Sequence, residues 1–257
     1  MTKTVQHPAL PFSITFDPGP HTYTDDRGHR YVSTTEMVDR YFPVFDTAAQ
    51  SAKIAARENR LELEVVTEWD AKAKAAAEYG ARVHAYAEAL VLGEKPALPT
   101  DAKDVNAFRI VDKALVMLSD HYEFLPPEQI IFDPLYLTAG TIDLPARNKS
   151  TGTLAVLDWK TCESITSDSF GAWGLPPIKH VPASKIEHYT IQLSLYGFIL
   201  TDPTGSYPST GEPVELALIH IPHFGTDPIW RPVAYRAKEA AEILLNWTET
   251  KEFKEAW

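Results

Sequence analysis

The distribution of apolar and polar residues divides the chain into a helical first half and a strand-rich second half. From 47 to 93, Ala, Glu, Lys and Leu recur with almost no glycine or proline, which predicts two or three helices broken near Asn59 and Arg60. Val105, Phe108, Val111, Leu115 and Leu118 then return at helical spacing, so residues 103–122 read as an amphipathic helix. Pro126 and Pro127 close that lobe. Beyond them, short apolar runs between turn residues predict strands over 129–132, 135–137, 140–144, 153–160, 214–221 and 230–235. Residues 185–200 read as a helix after a long loop over 164–184, and a final helix starts near Arg236.

Ahead of the helices, an apolar stretch at 12–16 and the segments 21–24 and 30–32 surround the turn at Asp25, Asp26, Arg27 and Gly28. They predict a small hairpin over 12–32. Ser33, Thr34 or Thr35 then caps a short helix ending near Pro43. The order of elements predicts an α+β protein with an α/β-type core, a central mixed β-sheet flanked by helices. It is expected as one domain, with an N-terminal hairpin and helical lobe over 1–125 and a sheet core over 126–257.

Composition narrows the class. Apolar residues make up 44% of 257, enough for a buried core. No apolar run approaches the roughly eighteen residues of a membrane span, and the N-terminus has no apolar signal core, so a cytoplasmic protein with no membrane partner is expected. Cys162 is the only cysteine, which excludes an internal disulfide and a four-cysteine iron–sulfur cluster. The net charge of −11 argues against a broad basic face for nucleic acid. The charge is uneven, however. Glu239, Glu242, Glu249, Glu252 and Glu255 crowd the C-terminus, expected as a solvated helix face, whereas Lys179, His180, Lys185 and His188 stand against the single acid Glu187 over 174–192.

The chemistry concentrates at the strand over 153–160. Side chains alternate along a strand, so Leu154, Val156, Asp158 and Lys160 share one face while Trp159 points to the other. Asp is disfavoured in strands, and here it follows directly on an apolar run. With Asp143 on the preceding arm, two carboxylates and an ammonium converge, a set able to hold a divalent cation and activate water for phosphodiester cleavage. Lys160 is placed to orient the attacking water or offset charge, and the Trp159 carbonyl is a further candidate ligand.

In this arrangement the chain resembles the PD-(D/E)XK nucleases of the RecB-like exonuclease branch, similar to phage and mitochondrial genome-maintenance exonucleases. Gly80, His84 and Glu88 match the helical Gly-x-x-x-His-x-x-x-Glu signature, and Gln192 and Tyr196 match Gln-x-x-x-Tyr on the helix after the Asp-x-Lys strand. The match runs over about 12–235 and lacks the proline that conventionally precedes the first aspartate. It implies a restriction-endonuclease-like core and Mg²⁺ or Mn²⁺ held by His84, Asp143, Asp158 and the Trp159 carbonyl. Catalysis falls to Asp143, Asp158 and Lys160. Gln192, Tyr196, Arg82 and Lys185 are expected to meet the nucleic acid. Glu88 and Glu128 are further candidates, Glu128 either joining the metal or merely beginning a strand, with the second reading favoured. Gly80 is expected to admit a close backbone. His21 to Thr24 and Ser33 to Thr35 resemble an N-terminal segment of the same relatives, to which no chemical role attaches.

The implied activity is a metal-dependent DNA exonuclease leaving 5′ phosphates in phage or prophage DNA processing, recombination or repair. Its partner is DNA, as single strands or duplex ends, and it works beside a single-strand-annealing or replication protein. A structure-specific endonuclease, an RNA-directed nuclease and a non-catalytic nucleic-acid-binding scaffold are the alternatives. The resemblance fixes no oligomeric state.

Overall fold

The computed structural model describes residues 2–202, 207 and 211–256. Four short strands open it: β1 (Lys3–Gln6), β2 (Ser13–Asp17), β3 (Thr22–Asp25) and β4 (Arg30–Ser33). They form an antiparallel meander in which the expected segments are β2, β3 and β4, and β1 is added at the β2 edge. β1 is polar and mostly exposed, and therefore carries no apolar signal. Ser33 caps α1 (Thr34–Arg40), its hydroxyl accepting from the Glu36 N–H at 3.1 Å. α2 (Thr47–Glu58) stops where Asn59 turns left-handed at φ 51°, and α3 (Glu62–Val91) follows. At 30 residues, α3 is about 45 Å long. Over residues 71–78 it is exposed on every side. Nearer its start Val65 is buried, and its C-terminal part packs with Val83, Tyr86 and Ala87 against Phe108, Val111 and Ala114 of α4 (Ala102–Ser119).

The remaining elements are β5 (Tyr122–Phe124), β6 (Gln129–Asp133), β7 (Thr138–Ile142), β8 (Leu144–Asn148), β9 (Leu154–Lys160), α5 (Lys185–Thr201), β10 (Val214–His220), β11 (Ile229–Val233), α6 (Ala237–Thr248) and α7 (Lys251–Ala256). The expected strand over 135–137 is instead the turn between β6 and β7, with Leu137 at φ 46°. Its apolar residues reflect burial: Tyr136 and Leu137 face the core from a turn.

The fold is α+β, but its strands make two mixed sheets rather than one central sheet. One has the order β1-β2-β3-β4-β7-β6 and the other β11-β10-β9-β8-β5. β4 lies parallel to β7, and β9 to β10. The chain passes between the sheets at Asp143, the one residue separating β7 from β8. Both sheets draw strands from either side of residue 125, through β4 with β7 and β5 with β8.

α5 makes the crossover that a parallel pair requires, from β9 to β10. It is apolar nearly all round because it lies between layers. Ile191 and Leu195 pack with the first sheet, α1 and α6, while Leu193, Tyr196 and Ile199 pack on the second sheet. The opposite face of the second sheet carries α3 and α4. The expected solvated face at the C-terminus is only partly one. Ile243, Leu244 and Trp247 are buried, Glu239 pairs with His180 at 3.0 Å, and Glu252 receives both terminal nitrogens of Arg40 at 2.7 and 2.8 Å. Among the described residues, no helix is long and apolar enough to cross a membrane.

Candidate active site

The alternation along β9 sorts its side chains between two cores. Ala155, Leu157 and Trp159 enter the layer under α3 and α4, whereas Leu154 and Val156 enter the layer with α5. Asp158 and Lys160 continue the α5 side and line a cavity of about 580 Å³ at the seam of the two sheets. α3 forms its wall with Ala76, Gly80, His84 and Glu88, spaced by one turn. Gly80 makes room for a side chain rather than a backbone: a Cβ there would sit 3.0 Å from the Thr161 hydroxyl.

Asp143 organises the centre. Its Oδ2 accepts the Trp159 backbone N–H at 2.9 Å and lies 3.5 Å from Nδ1 of His84. Its carbonyl accepts the N–H of Glu128 at 3.1 Å. Glu128 stands just ahead of β6 with φ 51°, a left-handed backbone that a non-glycine residue adopts only under local demand. This bend brings in the third donor: one ligand atom each from His84, Glu128 and Asp143 lie within 4.8 Å of one another. Glu128, read from sequence chiefly as the start of a strand, therefore belongs to the cluster.

The electrostatics match such crowding. Burial pushes the Glu128 carboxyl up to about 7, and the charges of Asp143 and Glu88 add to this. Burial works against charge on His84, but Asp143 and Asp158 outweigh it and hold the imidazole at about 9. Asp143 is likewise opposed by burial, and His84, Lys160 and the Trp159 N–H keep its carboxyl below the usual range.

Asp158 lies on the same cavity but outside that three-residue set. It is 4% exposed and forms an ion pair with Lys160, whose Nζ lies 2.5 Å from its Oδ2. Burial, reinforced by Asp143 and opposed by Lys160, raises its carboxyl to about 6. Lys160 also sits 3.5 Å from Gln192 Oε1 and 4.5 Å over the Tyr189 ring. The Gln192 amide donates to Tyr196 and to Thr35 Oγ1, each at 3.2 Å.

Tyr196 is 4% exposed, and burial pushes its hydroxyl well above the ordinary value. Its buried position behind Gln192 favours bracing that amide over the expected contact with nucleic acid. The ring lies where Gly140 has no side chain, a Cβ there coming within 2.5 Å of Tyr196 Cε1 and 2.7 Å of Thr34 Oγ1.

The other expected residues spread out. Trp159 buries its indole, and its backbone N–H serves Asp143. Arg82 is held by both oxygens of Asp104, at 2.6 and 3.0 Å, and does not line the cavity. Lys185 opens α5 beside a second hollow of about 680 Å³, which shares His84, Lys160 and Thr161 with the first. Thr34 and Thr35, of the segment to which sequence attached no chemical role, line the same cavity, and Thr161 and Tyr189, which no motif spacing singles out, also surround Lys160.

Two carboxylates and an imidazole within reach of one point, with a third carboxylate beside them and no sulfur among them, are a donor set that could hold a divalent cation. Glu128, its carboxyl pushed up by burial and then by its acidic neighbours, is the partner such a cation would relieve. Comparison with known proteins gives no assignment: no protein-family model and no curated protein matches the chain.

Proposed function

We propose that this protein is a metal-dependent nuclease that hydrolyses phosphodiester bonds in DNA, acting as an exonuclease on a restriction-endonuclease-like core. The observation that carries this reading is the meeting of His84, Glu128 and Asp143 within 4.8 Å, beside the Asp158–Lys160 pair. His84, Glu128 and Asp143 would hold Mg²⁺ or Mn²⁺, with Asp158 adjoining. When bound, the ion supplies charge neutralisation at the phosphate and a water of lowered pKa.

The chain's own groups do the rest. Lys160, anchored between Asp158 and Gln192, presents an ammonium where negative charge grows on the transferring phosphate. The Gln192 amide, fixed by Tyr196 and Thr35, orients the strand, and Tyr196 braces it from the core. The resemblance to RecB-like exonucleases supports a product with a 5′ phosphate and a role in phage or prophage DNA processing.

The test is Mg²⁺-dependent release of nucleotides from end-labelled DNA, with Asp158→Ala and Lys160→Ala as controls. Cleavage by the wild type alone supports the proposal, and no cleavage by the wild type overturns it. A circular single strand separates the modes: an exonuclease leaves it intact, whereas an endonuclease opens it.

A further inference from the structure

The segment around His21 lies on the catalytic cavity. Phe16, His21 and Tyr23 all line it, on the wall formed by β2 and β3. Tyr23 is buried and tied by its hydroxyl to Thr141 Oγ1 at 2.9 Å, on the strand that leads into Asp143. Phe16 is half-buried and stacks on Tyr23, with centroids 4.6 Å apart and planes 26° off parallel. His21 is exposed and meets Phe16 edge-on at 5.1 Å. It holds that position from φ 54° in the turn between the strands. Three rings thus step from the metal-ligand strand outward to solvent.

Beyond Lys160, the second hollow has a different lining. Lys72, Lys103, Lys185 and His223 border it against one acid, Glu163. Lys72 is engaged only by an exposed pair with Glu68, and Lys103 lies 3.9 Å over the Tyr79 ring, so neither charge is buried away. This groove supplies locally the positive charge that the whole chain, at −11, lacks.

A cleft with lysines on one side of its reacting centre and aromatic rings on the other matches the two chemistries of an unpaired nucleic-acid strand, a polyanionic backbone and free base faces. In a duplex those faces are already stacked. We propose that Phe16 and His21 form a nucleobase-stacking wall beside the metal centre, that the Lys72–Lys103–Lys185 groove holds the phosphates of the same strand, and that the substrate is single-stranded nucleic acid. This rests on the nuclease reading for its reacting centre, but the stacking itself does not require cleavage.

The test uses the full chain and three probes: a single-stranded oligonucleotide carrying 2-aminopurine at its terminal positions, its blunt duplex, and a single strand with abasic terminal residues. Without divalent cation, stacking quenches 2-aminopurine fluorescence on binding the wild type. With Mg²⁺, the single strand is cut with a lower KM than the duplex or the abasic strand. His21→Ala and Phe16→Ala relieve the quenching and raise KM for the intact strand by about five- to a hundred-fold, erasing its advantage over the abasic one. Phe16→Tyr retains it, and Leu245→Ser, an exposed change on α6, serves as the control. Circular dichroism checks folding, and the exposed His21 carries the test if Phe16→Ala unfolds.

If the wild type cuts intact and abasic strands alike, or prefers duplex, the stacking wall is overturned and the nuclease stands. Quenching that His21→Ala relieves, without any cleavage, leaves the wall standing and removes the nuclease. Neither quenching nor cleavage overturns both.

Discussion

The backbone N–H of Trp159 donates to Oδ2 of Asp143 at 2.9 Å, joining the bend between the two sheets to the acidic end of β9. The bond fixes one oxygen of the carboxylate that faces His84, with a main-chain donor that among substitutions at 159 only proline would remove. A main-chain donor of this kind also stabilises the ionised carboxylate at a buried site, in keeping with its lowered pKa.

Ligand and catalytic roles are expected to separate by mutation. Glu128→Gln and His84→Ala each weaken Mn²⁺ binding by at least about tenfold in titration calorimetry, because each removes a donor from the cluster. Lys160→Ala retains Mn²⁺ binding and loses cleavage. Equal Mn²⁺ affinity for Glu128→Gln and the wild type would exclude Glu128 as a ligand.

Gly140→Ala tests the packing behind the site. The added methyl would come within 2.5 Å of the Tyr196 ring and 2.7 Å of the Thr34 hydroxyl, so one of them must move. Overpacking of this degree costs about 3 kcal/mol. The variant's Tm is expected to fall by roughly 6–12 °C by differential scanning calorimetry. A Tm within 1 °C or so of wild type would show that the ring has room to retreat.

Tyr196→Phe keeps the ring and removes one of the two acceptors that fix the Gln192 amide. A freed Gln192 samples other rotamers, so kcat is expected to drop roughly tenfold while Mn²⁺ affinity holds. Loss of Mn²⁺ binding instead would mean that Tyr196 supports the ligands directly.

The turn between β3 and β4 gives a pH-dependent prediction away from the site. Burial raises the Asp25 carboxyl, but donors from Arg27 and His29 outweigh it and keep it below 3.8. Arg27 Nη2 lies 2.8 Å from Oδ2, and the His29 N–H 2.8 Å from Oδ1. A pKa depressed in the folded state stabilises above the unfolded value, and that stability is lost as pH falls through the folded one. Asp25→Asn is therefore expected to cost roughly 2 kcal/mol at pH 7, and the gap from wild type to shrink once the pH drops below 3.8. Urea unfolding at both pH values measures it; a gap that stays constant would refute the assignment.

Much of this was legible in the sequence wherever local chemistry and tertiary demand agree. The helix break at Asn59 was readable because a polar residue that tolerates a left-handed turn follows an alanine-rich run. β9 was readable because an apolar run ending in Asp and Lys keeps strict alternation through a buried sheet. The turn at 135–137 was misread because Tyr136 and Leu137 are apolar for packing while their backbone turns back. The division into two sheets hangs on one residue, Asp143, and strand periodicity does not register so short a switch. Glu128 enters the cluster only through its left-handed backbone and the bond to the Asp143 carbonyl, neither of which has a spacing signature.

The bare middle of α3 separates two tasks along a single rod. Residues 71–78 are exposed on every side and lean on the rod's own backbone ladder, its alanines and the Glu68–Lys72 pair, whereas the turns carrying Val83 to Ala87 are clamped into the core. Amide protons in the first stretch will exchange with solvent well ahead of those in the second. The outer turns can thus loosen and re-form over the lysine-lined hollow without shifting the imidazole a few turns further on.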